Sequence, residues 1–112
     1  KIPKNSVILD GIYGTGLNKK LTQNVKNLII TLNKKPNKII AIDIPSGLNE
    51  LTPTACIKAD ITLTMMFPKK VFFNKKKQAY CGKIYVMNFK LIKKDLNDYK
   101  FPSTNKHYFE LI

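Results

Sequence analysis

Three short stretches of this chain carry groups that could do chemistry. Asp10 closes the apolar run Ser6-Val7-Ile8-Leu9-Asp10, and Asp43 closes a second, Ile39-Ile40-Ala41-Ile42-Asp43. Acidic residues number only 7 in 112. Two of them at the ends of apolar runs are candidates for cation ligation or acid–base work. The competing reading is that each caps a turn by accepting backbone N–H bonds. After the first run comes Gly11-Ile12-Tyr13-Gly14-Thr15-Gly16. Three glycines so close together allow backbone angles and close approach that other residues forbid. Such a loop can aim N–H groups at an anion, with Lys19 and Lys20 adding positive charge. It can equally be a plain tight turn.

Two familiar phosphate-binding patterns do not fit. A phosphate loop wants Lys and Ser or Thr directly after its second glycine, whereas Leu17 and Asn18 follow Gly16. The dinucleotide fingerprint wants a third glycine, and Lys19 stands in its place. A P-loop nucleotidase and a standard dehydrogenase are therefore set aside.

These groups need elements to position them. The apolar runs read as buried strands. Between them, Val25, Leu28, Ile29 and Leu32 follow the i, i+3, i+4, i+7 spacing of an amphipathic helix over Thr22–Leu32. Asn33 suits its end, and Pro36 cannot continue it. Strand, glycine turn, helix and strand make a βαβ unit. Ligands of such sheets bind beyond the carboxyl ends of the strands, which is where Asp10 and Asp43 lie. Ala59–Met65 predicts a third strand and Lys83–Met87 a fourth, with Met65-Met66-Phe67 as core at a strand end and Lys75-Lys76-Lys77 as a solvated loop. From Leu91 the chain reads as an irregular extension anchored by Tyr99, Phe101, Tyr108 and Phe109, with His107 in a packing or surface role. Both faces of the first two strands are apolar, as in sheets covered by helices on each side. One confident helix is too few for that, so the chain reads as part of a larger sheet.

Composition narrows the function. The net charge is +13, yet every one of the 20 basic residues is lysine. Bidentate reading of bases leans on arginine, so nucleic acid is not the favoured partner, and a lysine-driven nucleic-acid binder stays only as an alternative. A basic surface that attracts anionic ligands fits better. No apolar run is long enough to span a bilayer. Cys56 and Cys81 are too far apart for a chelating pair and read as reduced, buried thiols of an intracellular protein.

The stretches Val7–Leu17, Ala41–Leu48, Lys58–Thr64, Pro68-Lys69 and Ala79–Lys83 together resemble the YjeF N-terminal domain family, that of the NAD(P)HX epimerases, in order and spacing over residues 6–90. The resemblance implies an α/β fold, a Rossmann-like α/β/α sandwich with a mostly parallel sheet. Residues 1–112 would form its C-terminal portion, with 91–112 as a C-terminal extension. The family's other glycine-rich segment, and the lysine proposed as the partner of Asp43, belong to an N-terminal half that has no counterpart here. The resemblance implies an isomerase that interconverts the R and S hydrates of NADH and NADPH, so that a separate dehydratase can repair both. It assigns K+ to Asp10 and Ser46, substrate phosphates to Gly14, Thr15, Gly16, Leu17, Asn18, Lys19 and Lys20, and substrate binding with catalysis to Asp43. It also implies a homodimer and a cytoplasmic setting, with any organelle signal placed in the N-terminal half. The alternative of another class is an inactive nucleotide- or protein-binding module of the same fold.

Overall fold

In a computed structural model the described residues are 1–14, 16, 20–48, 55–87 and 109–111. Strand β1 (Ile8–Asp10) pairs in parallel with β2 (Ile39–Ile42). Helix α1 (Gln23–Asn33) connects them. Thr22 starts the helix with an extended backbone and a hydroxyl that accepts from the Val25 amide, 3.4 Å away, satisfying one of the orphan donors of the first turn. At the other end the Asn33 side chain donates to the Cys56 carbonyl at 2.8 Å and accepts from the Lys58 amide at 2.9 Å. The helix end is thereby stitched to the segment that leads into β3 (Ile61–Met65). Strands β4 (Lys83–Met87) and β5 (Phe109–Leu111) complete a five-stranded parallel sheet in the order β1-β2-β3-β4-β5.

This order winds in one direction. Right-handed crossovers that always step the same way stay on the same face. Asp10, Ala41, Thr62 and Ile84 lie in one row of the register. On their face, Ile39 and Ala41 pack with Ile29 and Leu32 of α1, and Ile84 packs with Phe72 and Cys81. Phe72 comes from a 3-10 turn, Lys70–Phe73. The opposite face carries Leu9, Ile40, Ile42, Ile61, Leu63, Met65, Tyr85 and Met87, none of them fully buried. Leu9 is 67% exposed. The apolar character of both faces predicts cover on both, and the described helices supply it on one.

Several local expectations are corrected. Leu28 is exposed, while Ile29 and Leu32 are buried, because Leu28 sits at the flank of the stripe centred on Val25, Ile29 and Leu32. Met65 and Met66 are exposed at the rim rather than core, where Met65 ends the open face and Met66 turns the chain with φ of 65°. Lys75-Lys76-Lys77 is not loop but the first turn of a short helix, α2 (Lys75–Gln78), because the Asn74 side chain caps the Lys76 and Lys77 amides. Within the extension expected to be irregular, Phe109–Leu111 is a strand of the sheet. His107, Tyr99, Phe101 and Tyr108 lie outside the described residues. No helix among the described residues is long and apolar enough to cross a membrane.

Asp60 locks the amino-terminal edge of the sheet. Its carboxylate accepts from the Ile39 amide at 2.8 Å, its own amide donates to the Ile39 carbonyl at 2.8 Å, and its carbonyl accepts from the Lys83 amide at 3.0 Å. One residue so ties β2, β3 and β4 together. Gly82 passes directly over it, with φ of 59°. A methyl group there would fall 2.1 Å from the Asp60 carbonyl oxygen. Gly82→Ala is expected to destabilise the protein by about 2–3 kcal/mol, read as a lower urea midpoint. Gly11→Ala, which meets no atom within 4 Å, serves as control and should shift stability by under about 0.5 kcal/mol.

Cys56 and Cys81 are buried thiols, not joined in a disulfide. Burial pushes the Cys81 thiol up to about 12, so it stays protonated at neutral pH, and a thiol is a poor nucleophile. A disulfide reagent at pH 8 is expected to leave Cys81 unmodified in the native protein and to label it once urea unfolds the chain. At alkaline pH the unfolded thiol ionises first, so between about pH 9 and 12 the unfolded state binds fewer protons and stability falls with rising pH.

Candidate functional site

The carboxyl ends of β1, β2 and β3 form one rim, and the chemistry-bearing residues collect there. Asp10 is the last residue of β1 and points to the same side as Ile8, into the packed face. It is only 2% exposed. A buried carboxylate is costly unless its oxygens find donors. Ser46 supplies two: its hydroxyl donates to Asp10 Oδ1 at 2.6 Å and its amide to Oδ2 at 2.8 Å. The Ile12 amide adds a longer contact of 3.4 Å to Oδ1. Ser46 is itself fully buried. Its Oγ accepts from the Tyr13 amide at 3.0 Å and lies 3.3 Å from the Tyr13 carbonyl. The loop after β2 therefore holds the glycine turn after β1 in place.

That loop takes its shape from Ile44-Pro45-Ser46-Gly47. Ile44 and Leu48 are buried beside Phe72 and Ile84. Gly47 has φ of 94°, and a methyl group there would fall 2.1 Å from the Ala55 carbonyl oxygen. Ser46 also returns its carbonyl to the Ile57 amide at 2.9 Å. Ser46 is thus fixed on both sides by backbone contacts that a bulkier residue at Gly47 would prevent.

Asp43 follows β2 directly. Its backbone is left-handed, with φ of 72°, a conformation that Asp and Asn tolerate better than most residues. Its amide donates to the Leu63 carbonyl of β3 at 2.8 Å. The carboxylate is partly exposed at the rim. Oδ2 stands 3.0 Å from where a Cβ on Gly14 would lie, so the glycine turn runs against it. Oδ1 is 3.3 Å from the Lys69 ammonium.

The structure thus brings together Asp10, Ser46, Gly14 and Asp43. Gly16 and Lys20 are exposed. Thr15, Leu17, Asn18 and Lys19 lie outside the described residues. Sequence reasoning missed two participants. The first is Tyr13, which acts through its backbone and so has no side-chain signature. The second is Lys69, which the sequence placed in the Pro68-Lys69 stretch of the family resemblance but gave no role; its signal is that it follows a strand end, as Asp43 does. Among the described residues no three His, Cys, Asp or Glu side chains converge as metal ligands. An Asp10 carboxylate oxygen and the Tyr13 carbonyl both lie close to the Ser46 hydroxyl.

Residues 1–71 match the family model described as YjeF-related protein N-terminus. The chain is 38% identical over 102 residues to an NAD(P)H-hydrate epimerase of Elusimicrobium minutum, covering 84% of this chain and 45% of that one. It is 38% identical over 87 residues to an NAD(P)H-hydrate epimerase of Lentilactobacillus buchneri, covering 74% and 40%. It is 36% identical over 87 residues to the bifunctional NAD(P)H-hydrate repair enzyme Nnr of Coxiella burnetii, covering 74% and 18%. The chain therefore spans less than half the length of each of these relatives. No solved structure matches it.

Ser46→Ala removes the shortest bond to a buried carboxylate. Leaving such an acceptor underpaired costs about 1–3 kcal/mol. The expected outcome is a loss of that size in urea-unfolding free energy, with Ser46→Thr retaining part of it.

Proposed function

The chain belongs to the YjeF-related N-terminus family, and from that premise we propose that it provides the substrate-binding rim of an NAD(P)H-hydrate epimerase. The observation that carries the reading is the partly exposed Asp43 carboxylate against the Gly14 turn, one loop away from the buried Asp10–Ser46 clasp. A flexible-backbone glycine beside a carboxylate lets a planar ring approach the acid closely. Gly14, Thr15, Gly16, Leu17, Asn18, Lys19 and Lys20 form the loop assigned to the pyrophosphate, which suits backbone N–H groups and ammonium charge.

The hydrate carries a hydroxyl on the reduced nicotinamide ring. The ring nitrogen pushes its electron pair toward that carbon as the C–O bond breaks. A proton passes through the Asp43 carboxyl to the departing hydroxyl, and water forms. Water then adds to the other face of the ring, and Asp43 takes a proton back. Atoms and charge balance, and the same carboxyl serves both directions. The S hydrate so formed is the form a dehydratase consumes.

The oxygen set of Asp10 Oδ1, Ser46 Oγ and the Tyr13 carbonyl, with one formal negative charge, fits a hard monovalent cation. Asp10 and Ser46 would hold K+ there. When bound, K+ supplies positive charge near an anionic dinucleotide. Asp10 and Ser46 meanwhile keep the Tyr13–Gly14 turn seated against Asp43.

The test is turnover of purified R-NADHX by the protein. Asp43→Asn is expected to lower kcat by at least about 100-fold, within the range of a lost acid–base group, without loss of fold by circular dichroism. Replacing KCl with choline chloride should lower the rate, and Asp10→Asn should raise the K+ concentration needed for half of it. Parent-level turnover in Asp43→Asn would refute the assignment.

A further inference from the structure

Lys69 is held unlike an ordinary surface lysine. It stands in the chain between buried Pro68 and the 3-10 turn. The Lys69 carbonyl accepts from the Phe72 amide at 3.0 Å, and Phe72 is fully buried. The backbone of Lys69 is therefore anchored to the core through its neighbour. Its ammonium meets two acceptors, the Asp43 Oδ1 at 3.3 Å and the Met65 carbonyl, also at 3.3 Å, at the end of β3. One acceptor is a backbone carbonyl of the sheet, so the ammonium reaches Asp43 from the end of β3.

Asp43 is constrained from the other sides. Its backbone is left-handed and its amide is bound to Leu63 of β3. Gly14 crowds Oδ2 while Lys69 holds Oδ1.

We propose that Lys69 is the positioning residue for Asp43: its ammonium holds Oδ1, so that Oδ2 stays at the Gly14 side where the ligand enters. The proposal rests on the epimerase reading of this rim. It is not a stability device. The two side chains are 27% and 22% exposed, and pairs that wet contribute about 0–1 kcal/mol to folding. Lys69 acts instead on geometry, where misplacement by about 1 Å can cost about 100-fold in rate.

The experiment compares Lys69→Met, Lys69→Arg, Asp43→Asn and the double variant Asp43→Asn/Lys69→Met in the protein, with R-NADHX as substrate. Lys69→Met is expected to lower kcat by about 10- to 100-fold with KM changed by less than about threefold. Lys69→Arg should restore most of the loss, since its guanidinium still pairs with a carboxylate. The double variant should be no slower than Asp43→Asn alone, because Lys69 works through that side chain. A two-dimensional NMR correlation of lysine ammonium groups should show a Lys69 signal slow to exchange with water, lost in Asp43→Asn. Unchanged kcat in Lys69→Met, or a raised KM with kcat intact, overturns the positioning role while an inactive Asp43→Asn keeps the epimerase reading. Full activity in Asp43→Asn overturns both.

Discussion

Asp10 and Ser46 stand 36 positions apart in the chain and share two hydrogen bonds in a place that water barely reaches. A carboxylate with 2% exposure is tolerable only because both oxygens have donors, and both principal donors come from one residue. This makes the clasp specific. The two bonds tie the end of β1 to the loop after β2, so the two strand ends are held together. The Tyr13 amide on the Ser46 oxygen then passes that order to the glycine turn. The rim exists as a site because its least exposed charge is its best bonded one.

At the opposite edge a second carboxylate serves the same end by different means. Asp60 bridges β2 and β4 through its side chain and its own peptide groups, with Gly82 admitted by its lack of a side chain. One acid fixes each end of the strands. Between them the sheet winds one way only, gathering its described helical cover on a single side and its functional loops on a single rim.

Much of this was legible in the residues. The two apolar runs and the helix between them were placed by periodicity. Asp10 and Asp43 were picked out because charged residues seldom end apolar runs without a reason, and parallel pairing of β1 with β2 brings both to the same edge. What pattern could not supply was the third dimension. The spacing of Leu28 put it on the buried stripe, yet packing chose Ile29 and Leu32. Met65 and Met66 are apolar, yet they end a strand at the rim. Lys69 was one of 20 lysines, marked by the resemblance but given no role. Its pairing with Asp43 spans the connection from β2 through β3, and no local rule records such a meeting. Phe109–Leu111 was hidden in a polar tail, since three residues are too few to show a period.

The left-handed backbone of Asp43 has a consequence for how this position can drift over evolutionary time. Most side chains adopt that conformation only at a cost, as Met66 does at φ of 65°, and glycine, asparagine and aspartate bear it best. Glutamate would keep the charge at a higher backbone cost, and alanine would lose the charge. The other residues that fit most easily are glycine and asparagine, and neither has a carboxyl. A descendant that abandons the proposed reaction therefore has few neutral routes, and they pass through those two types. Glycine or asparagine at this site, with Asp10 and Ser46 retained, would mark a lineage that kept the architecture and gave up the chemistry.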